Sequence, residues 1–150
     1  MVSISQNEFR GCRFPDGFLY DVEYHVWVKL ESDIALIGAT DPGQAYAGEI
    51  IYIKVKDVGT SLERGAIAAT VESAKYMGPM RAPLSGIVIE VNPLVKNQPS
   101  AINSDPYSTW VLKIRPTKAD EEMKNLLRAK DAAERYKFII EEWGIECGKS

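Results

Sequence analysis

The sequence has few of the residues from which metal centres and nucleophilic sites are built. Among its 150 residues there is one histidine, His25, and there are two cysteines, Cys12 and Cys147, near opposite ends of the chain. These residues lack the close spacing of a zinc site or of a redox-active cysteine pair. We therefore expect no metal centre, and we predict that both cysteines are free thiols.

Long apolar runs and blocks of like charge are also missing. No stretch reaches the roughly 18 apolar residues of a membrane-spanning helix, and the N-terminus has no signal-peptide core. The 18 basic and 21 acidic residues give a net charge of −3 without a basic block, which argues against nucleic acid and against a membrane surface as partner. We expect a cytoplasmic, single-domain chain whose partners are proteins.

Short apolar runs dominate the middle of the chain and predict β-strands. Residues 26–30 and 34–37 flank a group of turn formers, which indicates a hairpin. The segments EIIYIKV and GIVIEV both alternate as strands do, and a shift of 36 residues superimposes Ile51 on Ile87 and Ile53 on Ile89. This weak repeat suggests two similar halves related by a quasi-twofold axis. The pattern predicts a mostly β sandwich or flattened barrel.

Two segments show helix signals instead. In DPGQAYAG, Asp41 is expected to be the N-cap of a short helical turn that begins at Pro42. From Pro116 onward the apolar residues recur at helical spacing, with Thr117 as the expected cap and an end near Gly144. We therefore divide the chain into an N-terminal extension (1–19), a β domain (20–116) and a C-terminal helical segment (117–144) that consists of one long or two consecutive helices packed on the β domain.

The stretch AATVESAKYMGPMRAPLSG, residues 68–86, places Lys75 between two strand-like runs. The pattern predicts a hairpin with Lys75 at its tip and with Gly78, Pro79 and Pro83 shaping the turn after it. A lysine that keeps a hairpin tip soluble is one interpretation. A tight hairpin also presents an exposed amine rigidly, which is what a covalent attachment site needs.

Several motifs, in order along the chain, resemble the H-protein family of the glycine cleavage system over about residues 20 to 140. They are IGATD, AGEIIYIKV, VGTSLERG, VESAK, APLSGIVIEVN and INSDPYSTWVLKI, preceded by the residues Tyr24, His25, Trp27 and Val28. The resemblance implies a barrel-sandwich hybrid, the fold of lipoyl and biotinyl carriers, with a helical C-terminal segment.

The same resemblance implies that Lys75 carries lipoic acid in amide linkage. Glu72, three residues before it, and Gly59, sixteen before it, match the positions that the lipoylation machinery of related domains favours. Biotin carriers share the fold, but their lysine usually lies between methionines, whereas Lys75 has Ala74 and Tyr76 as neighbours. The resemblance therefore favours lipoate.

The implied role is that of a carrier rather than an enzyme, with a lipoyl-lysine arm that shuttles a bound intermediate and electrons between partner enzymes. The implied partners are a lipoate ligase or lipoyl transferase, dihydrolipoamide dehydrogenase and the P- and T-proteins of glycine cleavage. An unlipoylated adaptor is the alternative from another functional class.

Two positions depart from the family pattern. Family members have a glutamate where Val26 stands and usually an aspartate where Pro79 stands, and both acids are associated with holding an aminomethyl cargo. Their absence suggests an apolar cleft for the arm, with His25, Val26, Pro79 and Arg81 as candidate residues; Arg81 could meet an anionic cargo.

The N-terminal stretch GCRFPDGFLYDVEYHVW resembles the lipoate-binding proteins that accompany heterodisulfide-reductase-like complexes of sulfur oxidation. The sequence therefore favours a carrier that serves such a cytoplasmic sulfur-oxidation complex. A true glycine cleavage H-protein that carries the aminomethyl group is the alternative.

Overall fold

The first part of the chain forms five strands in the computed structural model, which describes residues 7–148. They are β1 (Asn7–Phe9), β2 (Cys12–Phe14), β3 (Leu19–Asp21), β4 (Val26–Glu31) and β5 (Ile34–Ala39). Strands β4 and β5 pair antiparallel, from Val26 opposite Ala39 to Glu31 opposite Ile34. This confirms the predicted hairpin.

Helix α1 (Asp41–Ala47) follows β5 and begins at Asp41, one residue before the predicted start at Pro42. The N-cap is Thr40, whose Oγ1 accepts a hydrogen bond from the amide of Gly43 at 3.1 Å, so the assignment of the cap to Asp41 was wrong. Threonine and aspartate are both good N-caps, and tertiary contacts decide between them. Here the Asp41 carboxylate instead accepts hydrogen bonds from the Arg13 amide of β2 and from the Gln44 side chain.

The middle of the chain adds five strands, two short helices and a last strand. They are β6 (Ile50–Val55), β7 (Ser61–Leu62), β8 (Ile67–Ser73), β9 (Met77–Arg81), β10 (Gly86–Val91), α2 (Pro93–Asn97), α3 (Ala101–Ser104) and β11 (Leu112–Pro116). Strands β6 and β10 are the two repeated segments, and each contains a register shift. Ile51 and Ile87, matched by the repeat, are both exposed.

The strands form two main sheets and a small ribbon. The larger sheet has the order β3-β4-β5-β11-β10-β7, the smaller has the order β6-β8-β9, and β1 pairs with β2. Apolar residues from both main sheets form one core, whose largest fully buried aliphatic members include Ile37, Leu84, Ile102, Leu112 and Ile114. The described part of the chain is therefore mostly β, as predicted.

Trp27 shows why a glycine stands inside β5. A Cβ on Gly38, its cross-strand neighbour, would lie 2.3 Å from the indole ring, so a side chain at Gly38 would displace Trp27. The indole Nε1 donates a hydrogen bond to the Pro106 carbonyl oxygen at 3.0 Å, which satisfies the buried N–H group.

The C-terminal segment contains two helices, the second of the two alternatives that the sequence left open. Helix α4 (Ala119–Glu122) leads through a 3-10 turn (Met123–Asn125) to helix α5 (Ala129–Trp143), which ends at Gly144 in the left-handed conformation. The prediction that Thr117 caps the first helix was wrong, since the N-cap is Lys118 without a side-chain cap. The Thr117 amide instead donates to the Ser85 carbonyl oxygen and extends the pairing of β11 beyond its end.

A second core joins the two ends of the described chain. Helix α5 packs on β1, β2 and β3, and the buried rings of Phe14, Tyr20 and Tyr136 lie between them. Cys12 and Cys147 form a disulfide across 135 residues, so the prediction of free thiols was wrong. Sequence spacing could not reveal this bond, because it depends on the chain after α5 returning to β2.

Residues 7–148 contain neither a helix that could span a membrane nor a metal-binding group of side chains. Over this range, no helix combines the length and the apolar character that crossing a bilayer requires. Over the same range, His, Cys, Asp and Glu side chains form no group of three that could ligate a metal ion.

Candidate functional site

Lys75 lies at the tip of the β8–β9 hairpin, on a tight and anchored turn. The amide of Ser73 donates to the Tyr76 carbonyl oxygen at 2.8 Å, and this bond closes the turn. The Ser73 hydroxyl donates to the carbonyl oxygen of Ala47 at 2.6 Å, which fixes the hairpin to the end of α1. Within residues 7–148 the exposed Lys75 amine has neither an ion-pair nor a hydrogen-bond partner, so it is available for modification.

The turn itself differs from the prediction. Its residues are Ala74, Lys75 and Tyr76, whereas Gly78 and Pro79 already belong to strand β9. Pro83 is buried beyond the end of β9 and takes no part in the turn. Proline is tolerated in β9 because this strand lies at the edge of its sheet.

The two predicted recognition residues occupy different parts of the fold. Glu72 is exposed on β8, between Tyr52 of β6 and Met77 of β9 in the register of the smaller sheet. Gly59 lies in the loop between β6 and β7 with a φ of 95°, and its amide donates to the Val88 carbonyl oxygen of β10. Glu72 is thus three residues from Lys75 on the same hairpin, while Gly59 is bonded to the other sheet.

A cavity of about 70 Å³ lies beside the hairpin and contains three of the four predicted cleft residues. It is lined by Tyr24, His25, Val26, Ala39, Gly43, Gln44, Ala47, Ile50, Val71, Tyr76, Pro79, Met80 and Ile102. None of these lining residues carries a carboxylate. Arg81 does not line the cavity, because its guanidinium donates to the Gly65 carbonyl oxygen at 2.8 Å on the exposed end of β9.

His25 enters the cavity from an unusual backbone position. Its φ is 62°, and its amide donates to the Asp21 carbonyl oxygen at 2.8 Å. The Asp21 carboxylate shapes this β3–β4 loop by accepting hydrogen bonds from the amides of Glu23 and Tyr24. Asp21 also forms a 3.0 Å ion pair with Arg64, although burial, as the largest effect, raises the pKa of its carboxyl group.

The imidazole of His25 is held by helix α5. Its Nδ1 lies 2.9 Å from the Tyr136 hydroxyl, which lies 3.4 Å from the hydroxyl of Thr40. The ring also makes an edge contact with Trp143 at a centroid distance of 4.9 Å. Burial lowers the pKa of His25 to about 4, so the ring is neutral at pH 7.

The second ring nitrogen of His25 remains available. Among the described residues, every buried side-chain nitrogen or oxygen has a hydrogen-bond partner. Nε2 has no such partner among them, so it is not fully buried, and His25 is one of the residues that line the cavity. A neutral imidazole that is bonded through Nδ1 offers Nε2 as one donor or one acceptor.

An aromatic series beside the cavity was missed by the sequence analysis. Tyr46 of α1 contacts Tyr76, the neighbour of Lys75, at 5.7 Å and Trp143 of α5 at 4.3 Å between ring centroids. Trp143 was identified only as an apolar residue at helical spacing. No local pattern could place it beside the lysine hairpin, because the contact is made across the tertiary fold.

Comparisons with known proteins identify the family. The model of the glycine cleavage H-protein family matches residues 19–139, a range that contains the lysine hairpin, both main sheets and most of α5. The chain belongs to the glycine cleavage H-protein family. The family expected from the sequence motifs is therefore confirmed.

Relatives of this H-protein family chain align over nearly its full length. Glycine cleavage system H protein 3 of Aquifex aeolicus is 41% identical over 93% of this chain and 90% of its own length. The probable glycine cleavage system H protein 2 of Sulfolobus acidocaldarius is 41% identical over 91% of this chain and 93% of its own. The crystal structure of a glycine cleavage system H protein from Mycobacterium marinum superimposes with a TM-score of 0.74 and 26% identity, covering 82% of this chain and 98% of that one. The predicted barrel-sandwich fold is confirmed.

Proposed function

We propose that this chain is a covalent lipoyl carrier with lipoic acid attached to Lys75. The observation that carries this proposal is an exposed lysine amine, without a partner among residues 7–148, at the tip of an anchored hairpin beside a cavity in an H-protein fold. The site fits the group, because amide formation consumes a free amine and disturbs no existing contact. Bound lipoate would supply a reducible disulfide that accepts a group and two electrons.

The chain itself holds the attachment point of the arm in a fixed position and provides the cavity beside it. The Ser73 hydrogen bonds hold the base of the arm still, so that the partner enzymes meet the attachment point in a fixed orientation. Tethering gives the arm a high effective concentration at whichever partner is bound. Glu72 and Gly59 act in recognition by the lipoate ligase or lipoyl transferase. The chain acts as a carrier and leaves catalysis to its partners.

The first candidate pathway is glycine cleavage, and it is supported by the names of the relatives. In that role the carrier takes an aminomethyl group from the P-protein, delivers it to the T-protein and is reoxidised by dihydrolipoamide dehydrogenase. We propose that all of these encounters occur in the cytoplasm.

The second candidate is a sulfur-oxidation carrier that serves a heterodisulfide-reductase-like complex. A specific observation favours it: the cavity lining contains no carboxylate, and Val26, at 1% exposure, stands where the family has glutamate. An ammonium group drawn into this cavity would lack a charged partner, which is costly away from water. A neutral sulfur cargo meets no such penalty, whereas an anionic one would also lack a charged partner, since Arg81 does not line the cavity.

The carrier proposal can be tested by enzymatic reduction of the arm. Unmodified protein is incubated with a lipoate ligase, ATP and lipoate, free lipoate is removed by gel filtration, and the protein is then incubated with dihydrolipoamide dehydrogenase and NADH. We expect the wild type and a Lys96→Arg variant, which changes another exposed lysine, to support NADH oxidation. A Lys75→Arg variant should support none. Equal NADH oxidation by all three proteins would contradict the proposal.

A further inference from the structure

The disulfide lies close in sequence to residues that hold the cavity. Cys147 is four residues after Trp143, with the helix end at Gly144 between them. The Cys147 amide donates to the Arg10 carbonyl oxygen at 3.0 Å. The Cys147 carbonyl oxygen lies so close to Gly11 that a Cβ there would be 2.2 Å from it. The end of α5 is thus tied covalently and by close packing to the β1–β2 ribbon.

From this tied end, contacts lead to the lysine hairpin. Trp143 packs on the His25 ring and on Tyr46, and Tyr46 packs on Tyr76, next to Lys75. About two turns earlier on α5, the Tyr136 hydroxyl lies 2.9 Å from His25 Nδ1. The position of the end of α5 therefore determines the surroundings of His25 at the cavity.

These contacts run from the second core, which contains Tyr136, to Tyr76, which packs against the core between the two main sheets. Cys12, Cys147, Tyr136 and the rest of the α5 face form the second core, whereas β6, β8 and β9 pack in the first. The end of α5 also has an ion pair between Arg10 and Glu141 at 3.8 Å, but both side chains are about half exposed, so it holds the helix weakly.

We propose that the Cys12–Cys147 disulfide sets the shape of the cavity beside the lysine hairpin, called the arm cavity below. The redox state of this bond then controls how Trp143 and Tyr136 hold His25. Oxidised, the bond fixes α5 against the β3–β4 loop. Reduced, it frees the segment after Gly144, and Trp143 separates from His25 and Tyr46. The consequence for the arm rests on the proposed lipoyl function, whereas the effect on His25 does not.

The redox step is an ordinary thiol–disulfide exchange with a dithiol reductant. The reductant gives two electrons and two protons, the Cys12–Cys147 bond breaks to two thiols, and the reductant becomes a disulfide. Access is from the Cys147 side, since Cys147 lines a polar, solvent-open cavity of about 610 Å³ together with Gln44, Gly48 and Gly148. Cys12 is 0% exposed and Cys147 only 5%, so exchange requires local opening of the segment after Gly144.

The pKa of His25 gives a direct readout of the position of α5, because His25 is the only histidine in the sequence. The groups around its ring are the hydroxyls of Tyr136 and Thr40 and the indole of Trp143, and burial is what lowers its pKa to about 4. Asp21, under the same loop, is paired with Arg64 at 3.0 Å. Release of α5 hydrates the ring, and the pKa should return toward its ordinary value of about 6.5.

The test follows the His25 Hε1 proton by NMR as a function of pH, in protein without lipoate. Oxidised wild type is compared with protein reduced by dithiothreitol and with a Cys12→Ser/Cys147→Ser double variant. We expect the pKa of His25 to rise toward 6.5 in both reduced forms, while the strand amide signals of β8 and β9 stay in place. An Arg10→Ala variant, which removes the other link at this end, should titrate like the oxidised wild type.

Three outcomes would overturn the proposal. One is a His25 titration that is the same in oxidised protein, reduced protein and the double variant. Another is collapse of the dispersed strand signals on reduction, since the disulfide would then hold the whole fold rather than the cavity. The third is failure of the two thiols to form the bond under oxidised glutathione, measured by intact mass. Because the protein carries no lipoate, these results are independent of the carrier assay.

Discussion

The hydroxyl of Tyr136 lies 2.9 Å from Nδ1 of His25, a contact between residues 111 positions apart in the sequence. It joins the C-terminal helix to the loop that forms one side of the arm cavity. Tyr136 is fully buried, and burial raises the pKa of its hydroxyl, so the group stays protonated throughout the physiological range. The contact therefore joins two neutral groups, and its loss affects both the stability and the titration of the cavity.

Replacing His25 by asparagine should change how stability depends on pH. The folded protein holds the pKa of His25 at about 4, below its unfolded value of about 6.5, so the unfolded chain binds more protons between these values. Stability must then fall as pH drops from 6.5 to 4, by up to about 3 kcal/mol from this group. Asparagine tolerates the positive φ of this position and does not titrate.

The measurement is urea unfolding of wild type and His25→Asn at several pH values. We expect the difference in unfolding free energy between them to shift by a few kcal/mol across this window, as the linkage relation requires. A difference that is constant with pH would show that the ring is already hydrated in the folded state.

Tyr136→Phe should destabilise the fold by about 1 to 3 kcal/mol, because the buried Nδ1 loses its partner. Tyr46→Phe is a matched control, since this ring is half exposed and packs on its neighbours through the ring itself. Thermal unfolding should show a clear decrease in Tm for Tyr136→Phe and little change for Tyr46→Phe. Equal decreases in Tm would mean that the buried hydroxyl of Tyr136 contributes no more to stability than the half-exposed hydroxyl of Tyr46.

The charge of the cargo can be tested by substituting Pro79, which lines the cavity. This position is exposed on an edge strand, so Pro79→Asp should fold, whereas a glutamate at the buried Val26 would also affect stability. A new carboxylate could give an aminomethyl cargo a charge-assisted hydrogen bond of about 1.5 to 3 kcal/mol. We expect the loaded arm to live roughly tenfold longer or more in Pro79→Asp, and to be unchanged in the neutral control Pro79→Asn.

The wild type supplies the second half of this test. In the exchange of bicarbonate with the carboxyl group of glycine, catalysed by P-protein, the sulfur-carrier candidate predicts weak turnover with the wild-type lipoylated chain. Turnover equal to that of an established glycine cleavage H-protein would instead assign the chain to glycine cleavage, with Val26 and Pro79 as neutral replacements.

Glu72 should matter for attachment of lipoate and not for the fold. It is exposed, and it lies on the same hairpin as the lysine. If the attaching enzyme binds this carboxylate with a cation, Glu72→Gln loses about 1.5 to 3 kcal/mol, or roughly a tenfold or greater reduction in the rate of lipoylation at low substrate. Glu134→Gln, an exposed change on α5, is the control. Equal rates would exclude a role for Glu72 in recognition.

The parts of the site that local patterns specify could be predicted from the sequence. The strands on either side of Lys75 alternate in polarity and the lysine follows a small serine and alanine, so the hairpin tip is defined within a few residues. The same is true of the β4–β5 hairpin, where turn formers separate two apolar runs. Val26 and Pro79 were placed together by the family pattern, and the cavity brings them together.

The parts that depend on distant contacts could not be predicted. The disulfide needs the chain after α5 to return to β2, and the cap of α1 depends on whether Asp41 is drawn to Arg13. Arg81 follows the same alternation as its neighbours, so nothing local indicates that its side chain turns to Gly65 rather than to the cavity. In each case the local sequence is compatible with two arrangements of similar free energy, and contacts with distant parts of the chain decide which one forms.

The most direct test of the carrier proposal is peptide mapping by tandem mass spectrometry of protein made in a host that lipoylates its own carriers. A single lipoyl adduct should appear on the peptide that contains Lys75, and it should disappear in Lys75→Arg while the folded protein persists. An adduct on another lysine, or none in the presence of an active ligase and lipoate, would contradict the assignment of Lys75 as the lipoyl attachment site.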